Sequence, residues 1–160
     1  MLMYQKYLVL ATIVSTYVLI VWGAYLTAGD WGAACGVGSA SDWPACNGTF
    51  AIPFNNYGAM VEYIHRTLSV ITAVLLVITT LAVWRMKPRP AVPSFSLAIS
   101  LLLLVIQILL GAVVVNTNLN AIITAAHLAN ATALFGLMVV AGVKMFGSEE
   151  RKLMSQARAP

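Results

Sequence analysis

Charge is scarce in this sequence. Asp, Glu, Lys and Arg together make up 9% of its 160 residues, against about 25% in an ordinary soluble domain. With hydrophobic residues at 61%, there are too few polar groups to cover a folded surface, which excludes a soluble globular protein and leaves lipid as the solvent for most of the chain. The formal net charge is +4, but the basic residues are too few and too scattered for a nucleic-acid surface, so nucleic acid is excluded as a partner. Histidine and cysteine are scarcer still, at two each. Two sulfurs without further ligands make a poor metal site. There is no strong internal repeat.

What the chain does have is four apolar runs, roughly 7–28, 58–84, 92–115 and 121–146. Each is long enough to cross about 30 Å of hydrocarbon at about 1.5 Å per residue. The first is too long, and lacks the small-residue cleavage site, to be a removable signal peptide, so it is expected to be a true span. The connections at 85–90 and 116–120 are short, and short connections make sequential helices antiparallel neighbours. The expected fold is therefore an all-α membrane protein, an antiparallel bundle of four transmembrane helices occupying residues 1–146. A charged, polar tail at 147–160 is expected to fray in the cytoplasm.

Sidedness follows from the basic residues. Lys6, Arg85, Lys87, Arg89, Lys144, Arg151, Lys152 and Arg158 collect at the end of the bundle that holds both termini, whereas the loops at the other end carry only Asp30 and Asp42. The positive-inside bias predicts both termini in the cytoplasm of a multi-pass cell-membrane protein. The one long connection, 29–57, then lies outside. It is rich in Gly, Ser, Ala and Asn, contains Pro44 and Pro53, and is expected to be irregular.

Four ionisable groups remain inside the apolar runs: Glu62, His65, Arg66 and His127. Each such group costs about 2.5 to 3.5 kcal/mol to insert and so calls for a partner or a task. Counted from the outer ends of their helices, His65 lies about seven residues in and His127 about six, or roughly 10 and 9 Å. Two neutral imidazoles at matching depth, facing each other across a bundle core, can supply both axial bonds to a haem iron. Around them, Glu62, His65, Ser69 and Thr72 recur at helical spacing as a polar seam, and Thr124, His127, Asn130 and Ala131 share a face. Arg66 is placed near the outer surface, where a guanidinium meets haem propionates well. Positions 69, 124 and 130 are candidates for fixing a ligand tautomer.

Plainer readings stand beside these. Either histidine can simply hydrogen-bond a neighbouring helix, and Glu62 with Arg66 can be an ordinary i, i+4 ion pair. Ser69 and Thr72 can bond back to their own helix. Ala125, Ala129 and Ala133 form a small-residue packing ridge, and Gln107 and Asn116 suit structural bonding as well as a site lining. Cys35 and Cys46 both fall in the external loop, where a disulfide can form and persist. Closing so short a loop stabilises it by about 3 kcal/mol at most in the chain-entropy picture. The pair reads either as a staple holding a cap over the bundle or as a redox-active dithiol near a haem edge.

Taken in order, these residues resemble a family. Glu62-Tyr63-Ile64-His65-Arg66 is similar to the Glu-x-x-His-Arg motif of haem A synthases. Asp42-Trp43-Pro44-Ala45-Cys46-Asn47-Gly48 resembles that family's Trp-Pro-x-Cys-Asn-Gly loop. Gln107-Ile108-Leu109-Leu110-Gly111-Ala112 resembles its third helix, and His127 stands where its fourth-helix histidine would. The resemblance covers about 23–136. It implies oxidation of a ring methyl of haem O to the formyl group of haem A, with His65 and His127 as haem ligands and Glu62 as the acidic residue of the chemistry, stabilising a cationic intermediate or moving protons. Cys35 and Cys46 would be the paired external cysteines. The implied cofactor is haem b, haem O or haem A, and the implied partners are haem O, membrane lipid, and haem O synthase or terminal oxidase assembly. Most members have eight helices in two related halves. This chain resembles the half-length, four-helix archaeal type, which implies a homo-oligomer. Its cysteines stand further apart than the family pattern, as if 36–40 carried an insertion.

A bis-histidine iron has no free site for oxygen, which disfavours a simple monooxygenase at that iron and puts the chemistry at the haem edge, within reach of Glu62. Two other functions fit the same ligands: a small b-type cytochrome for electron transfer, which needs no Glu62, and a haem-handling subunit without turnover.

Overall fold

The computed structural model describes residues 2–36 and 43–157, with side chains from 4 to 148 within those ranges. Asp42 of the loop motif, most of the inserted stretch and Arg158 lie outside the described residues. The described residues form four helices, α1 (Leu2–Ala28), α2 (Tyr57–Trp84), α3 (Ala91–Asn116) and α4 (Ala121–Ala157). All four are long and apolar enough to cross a membrane, so the molecule is an all-α membrane bundle.

The helix starts are set by local chemistry. The Asn56 side chain accepts from the Ala59 N–H at 3.1 Å, and Asn120 Oδ1 accepts from the N–H groups of Ile122 and Ile123 at 3.1 and 3.3 Å. Both satisfy donors that a helix N-terminus leaves open. Before α3, Pro88 and Pro90 stop the preceding helix, while Pro93 falls in the first turn, where a missing N–H breaks no bond. α4 continues past Phe146, where the apolar run ends, to Ala157. The polar stretch Glu149-Glu150-Arg151-Lys152-Leu153-Met154 consists of good helix formers with nothing to interrupt them, so loss of hydrophobicity there does not end the helix.

The helices form an up-down square. α1 packs on α2 and α4, and α3 on α4 and α2, while the backbones of the diagonal pairs α1–α3 and α2–α4 do not approach within 8 Å among the described residues. Packing is uneven along the axis. The core of Val9, Leu76, Val83, Leu97, Leu134, Met138, Ala141 and Met145 lies toward the end that carries the termini. Just above it, hydroxyl pairs Thr12–Thr79 (2.8 Å) and Ser15–Thr72 (2.7 Å) join α1 to α2. At the loop end, by contrast, no residue of α3 beyond Ser100 and none of α4 before Leu134 is buried. The loop-end rim carries an aromatic group: Trp31 stands edge-on to Tyr25 and Tyr57 at 5.3 and 5.2 Å, the kind of belt favoured at a membrane interface.

Candidate functional site

α2 and α4 stand on one diagonal, and each brings a histidine to the loosely packed end. His65 is eight residues from Tyr57 and His127 six from Ala121, about 12 and 9 Å along their helices. Each imidazole has a buried Nδ1 with no hydrogen-bond partner.

What holds each ring is a glycine on the preceding helix. A Cβ at Gly23 of α1 would lie 3.0 Å from His65 Cε1, and one at Gly111 of α3 would lie 3.2 Å from His127 Cε1. A glycine inside a helix is destabilising by about 0.5–1 kcal/mol relative to alanine. Here the missing methyl is what lets an imidazole approach the neighbouring backbone. Both glycines lie five residues before the end of their helix. The α1–α2 and α3–α4 hairpins thus repeat one device, glycine on the first helix and histidine on the second, although no sequence repeat announces it. A glycine deep in an apolar span was the available signal, and sequence reasoning passed over Gly23.

The second nitrogens differ. His127 Nε2 lies 3.1 Å from Gln107 Nε2, and Asn130 Nδ2 donates to Gln107 Oε1 at 2.6 Å and to the Leu103 carbonyl at 2.9 Å. His65 makes no hydrogen bond among the described residues. Of the three positions expected to orient a ligand, only Asn130 serves a histidine. Ser69 and Thr124 donate to carbonyls of their own helix, at Arg66 and Asn120, and Thr72 bonds Ser15.

Glu62 and Arg66 face the loop. Glu62 Oε1 accepts from Arg66 Nε at 3.0 Å and Nη2 at 2.6 Å. Its other oxygen accepts from the Cys35 N–H at 2.7 Å, 27 residues away, and Arg66 Nη1 donates to the Ala45 carbonyl at 2.6 Å. Both residues are almost fully buried, at 2% and 4% exposure. The ion pair expected at this spacing is present, with the loop as its third member. Cys35 and Cys46 form a disulfide, Cα–Cα 4.9 Å, and both sulfurs lie over the Ala59 carbonyl. The loop is therefore fastened to α2 beside the histidine level.

Two histidines at one level on diagonal helices, each with a glycine clearance against its ring, suit a flat metal-porphyrin held from both sides. Glu62, three residues from His65, brings an acidic group to the same level.

Comparison with known proteins points the same way. A profile of the COX15-CtaA family, described as cytochrome oxidase assembly protein, matches residues 52–159. The chain is 38% identical over 96 residues to the heme A synthase of Listeria welshimeri, covering 60% of this chain and 31% of that protein. It is 27% identical over 141 residues to the heme A synthase of Bacillus pumilus, covering 86% and 44%. It is also 32% identical over 130 residues to protoheme IX farnesyltransferase 1 of Natronomonas pharaonis, covering 81% and 26%. The chain spans at most about half the length of these relatives. No solved structure matches it.

Proposed function

The chain belongs to the COX15-CtaA family of cytochrome oxidase assembly proteins, that of the haem A synthases, and on that premise we propose that it oxidises a ring methyl of haem O to the formyl group of haem A. The observation that carries the reading is the pair of imidazoles at one level on diagonal helices, each set against a glycine of the preceding helix.

In this reading His65 and His127 would hold the haem iron, and haem O is the substrate. A haem b cofactor, when bound, supplies the redox-active iron. Glu62 brings a carboxyl group one turn from His65, where it stabilises positive charge at the porphyrin edge or carries a proton away. Arg66 orients that carboxyl group through two hydrogen bonds, and is the cation at the level where propionates would lie. The Cys35–Cys46 bridge acts as a staple that keeps the loop, and so the Cys35 N–H, on Glu62. The basic residues support cytoplasmic termini, an external loop at 29–57, and a cytoplasmic stretch at 147–160 following the membrane unit 1–146. Substrate and cofactor haems each need two ligands, and this chain has one histidine pair, which supports a homo-oligomer. The likeness to a protohaem farnesyltransferase supports a place beside the enzyme that farnesylates haem.

The test is co-production with a source of haem O, followed by extraction and chromatography of the haem and a spectrum before and after reduction. Haem A or its hydroxylated precursor is expected, with low-spin bis-histidine bands, in particles of at least two chains. Glu62→Ala is expected to keep haem and lose haem A. Haem b alone, even with haem O supplied, would make the protein an electron-transfer cytochrome. Absence of any haem would end the haem reading.

A further inference from the structure

The two histidines are not equivalent, and the difference can be traced to a single backbone carbonyl. The Leu103 carbonyl can only accept, so the Asn130 group facing it at 2.9 Å is its NH2. The other hydrogen of that NH2 points to Gln107 at 2.6 Å, so Gln107 presents its Oε1 there. Gln107 therefore turns its own NH2 toward His127, 3.1 Å from Nε2, and Nε2 accepts. The ring proton of His127 sits on the buried Nδ1. The lone pair that an iron would use is thus already engaged by Gln107, whereas His65 lies against Gly23 with no hydrogen bond among the described residues.

We propose that Gln107, oriented by Asn130, is a capture site for His127 and makes it the exchangeable axial ligand, with His65 the permanent one. The inference rests on the haem reading given above. Exchange breaks the coordinate bond between iron and His127 Nε2 and forms the N–H···N bond from Gln107. No electrons are transferred, and the ring keeps its Nδ1 proton throughout. Ligation at His65 gives up no hydrogen bond, but ligation at His127 gives up the Gln107 bond and leaves a buried amide hydrogen without an acceptor. The released state of His127 has a prepared partner. Release opens a coordination position on the α4 side, which removes the difficulty that a bis-histidine iron has no site for a small ligand.

Carbon monoxide is the probe, titrated into the haem-loaded, reduced protein. Gln107→Met keeps the volume and is apolar, and it removes the capturing hydrogen bond. We expect it to hold a full complement of haem while binding CO about fivefold more weakly, the equilibrium equivalent of one neutral hydrogen bond. Asn130→Ala frees the Gln107 amide to turn and is expected to shift CO affinity in the same direction by less. His127→Ala is expected to retain five-coordinate haem that binds CO without competition, and His65→Ala to lose most of its haem. Equal CO affinity in the wild type and Gln107→Met at equal haem occupancy would overturn the capture site while leaving the haem reading intact. So would haem retention by His65→Ala and loss by His127→Ala. If Gln107→Met does not fold, the Asn130 and histidine variants carry the same decision. A wild-type protein that takes up no haem overturns both readings.

Discussion

At the residue scale, the chemistry-bearing side chains were legible and their partners were not. Glu62, His65, Arg66 and His127 stand out because each is expensive in hydrocarbon, and the Glu62–Arg66 pair follows from helical spacing. Nothing in the spacing reveals that the second Glu62 oxygen takes the Cys35 N–H, because that contact depends on the path of a loop. Glycines were passed over for a related reason. A missing side chain carries no chemistry, and its importance appears only when something large occupies the space. Gly23 and Gly111 allow a direct test. In most helix interiors Gly→Ala is stabilising by about 0.5–1 kcal/mol. At these two positions the new methyl meets an imidazole carbon at 3.0 or 3.2 Å, and the ring must move off its axis. Gly23→Ala and Gly111→Ala are expected to yield haem-free protein at least as heat-stable as the wild type, yet with a clearly lower haem-to-protein ratio after reconstitution. Undiminished haem loading would mean that the glycines do not position the rings.

At the element scale, the four helices could be read from the four apolar runs, since a span must satisfy its backbone internally and therefore be helical. Hydrophobicity, however, marks where lipid begins and ends, not where the helix does. Hence α4 continues to Ala157 beyond its apolar run. The long loop between α1 and α2 was legible as irregular but not as a structural member. It is fixed to α2 by the disulfide, by the Cys35 N–H on Glu62 and by Arg66 on the Ala45 carbonyl. The histidines sit on helices rather than on this loop. The double variant Cys35→Ser with Cys46→Ser is therefore expected to lose about 2–3 kcal/mol of stability, the order of a short closed loop, seen as a lower thermal midpoint in detergent. Its low-spin haem spectrum is expected to persist, while haem A yield falls because Glu62 loses a fixed partner. Loss of haem in that variant would instead make the loop part of the haem cradle.

At the scale of the whole molecule, the bundle has two unlike ends. Toward the termini, Leu76, Leu97, Leu134 and Met138 interlock as a core, and hydroxyl pairs tie α1 to α2. Toward the loops, α3 and α4 have no buried residue over several turns, and the histidines lie on α2 and α4 at that end. Native interiors are packed as densely as organic crystals, so a bundle whose α3 and α4 stay unburied at the loop end is shaped there for something besides its own side chains. A ligand that binds only the folded state stabilises it by mass action, about 2.7 kcal/mol at a hundredfold excess over Kd, and the gain should fall where the ligand supplies the missing contacts. Hydrogen–deuterium exchange on haem-loaded and haem-free protein in the same detergent measures this directly. Haem removal is expected to speed exchange strongly in 101–116 and 121–133 and at the start of α2, and to leave 72–83 and 134–145 nearly unchanged. A uniform change along all four helices would mean that the two ends form one cooperative unit. Protection confined to the loop end would locate the ligand between α2 and α4, and would explain why a chain with so few polar residues keeps its two histidines there.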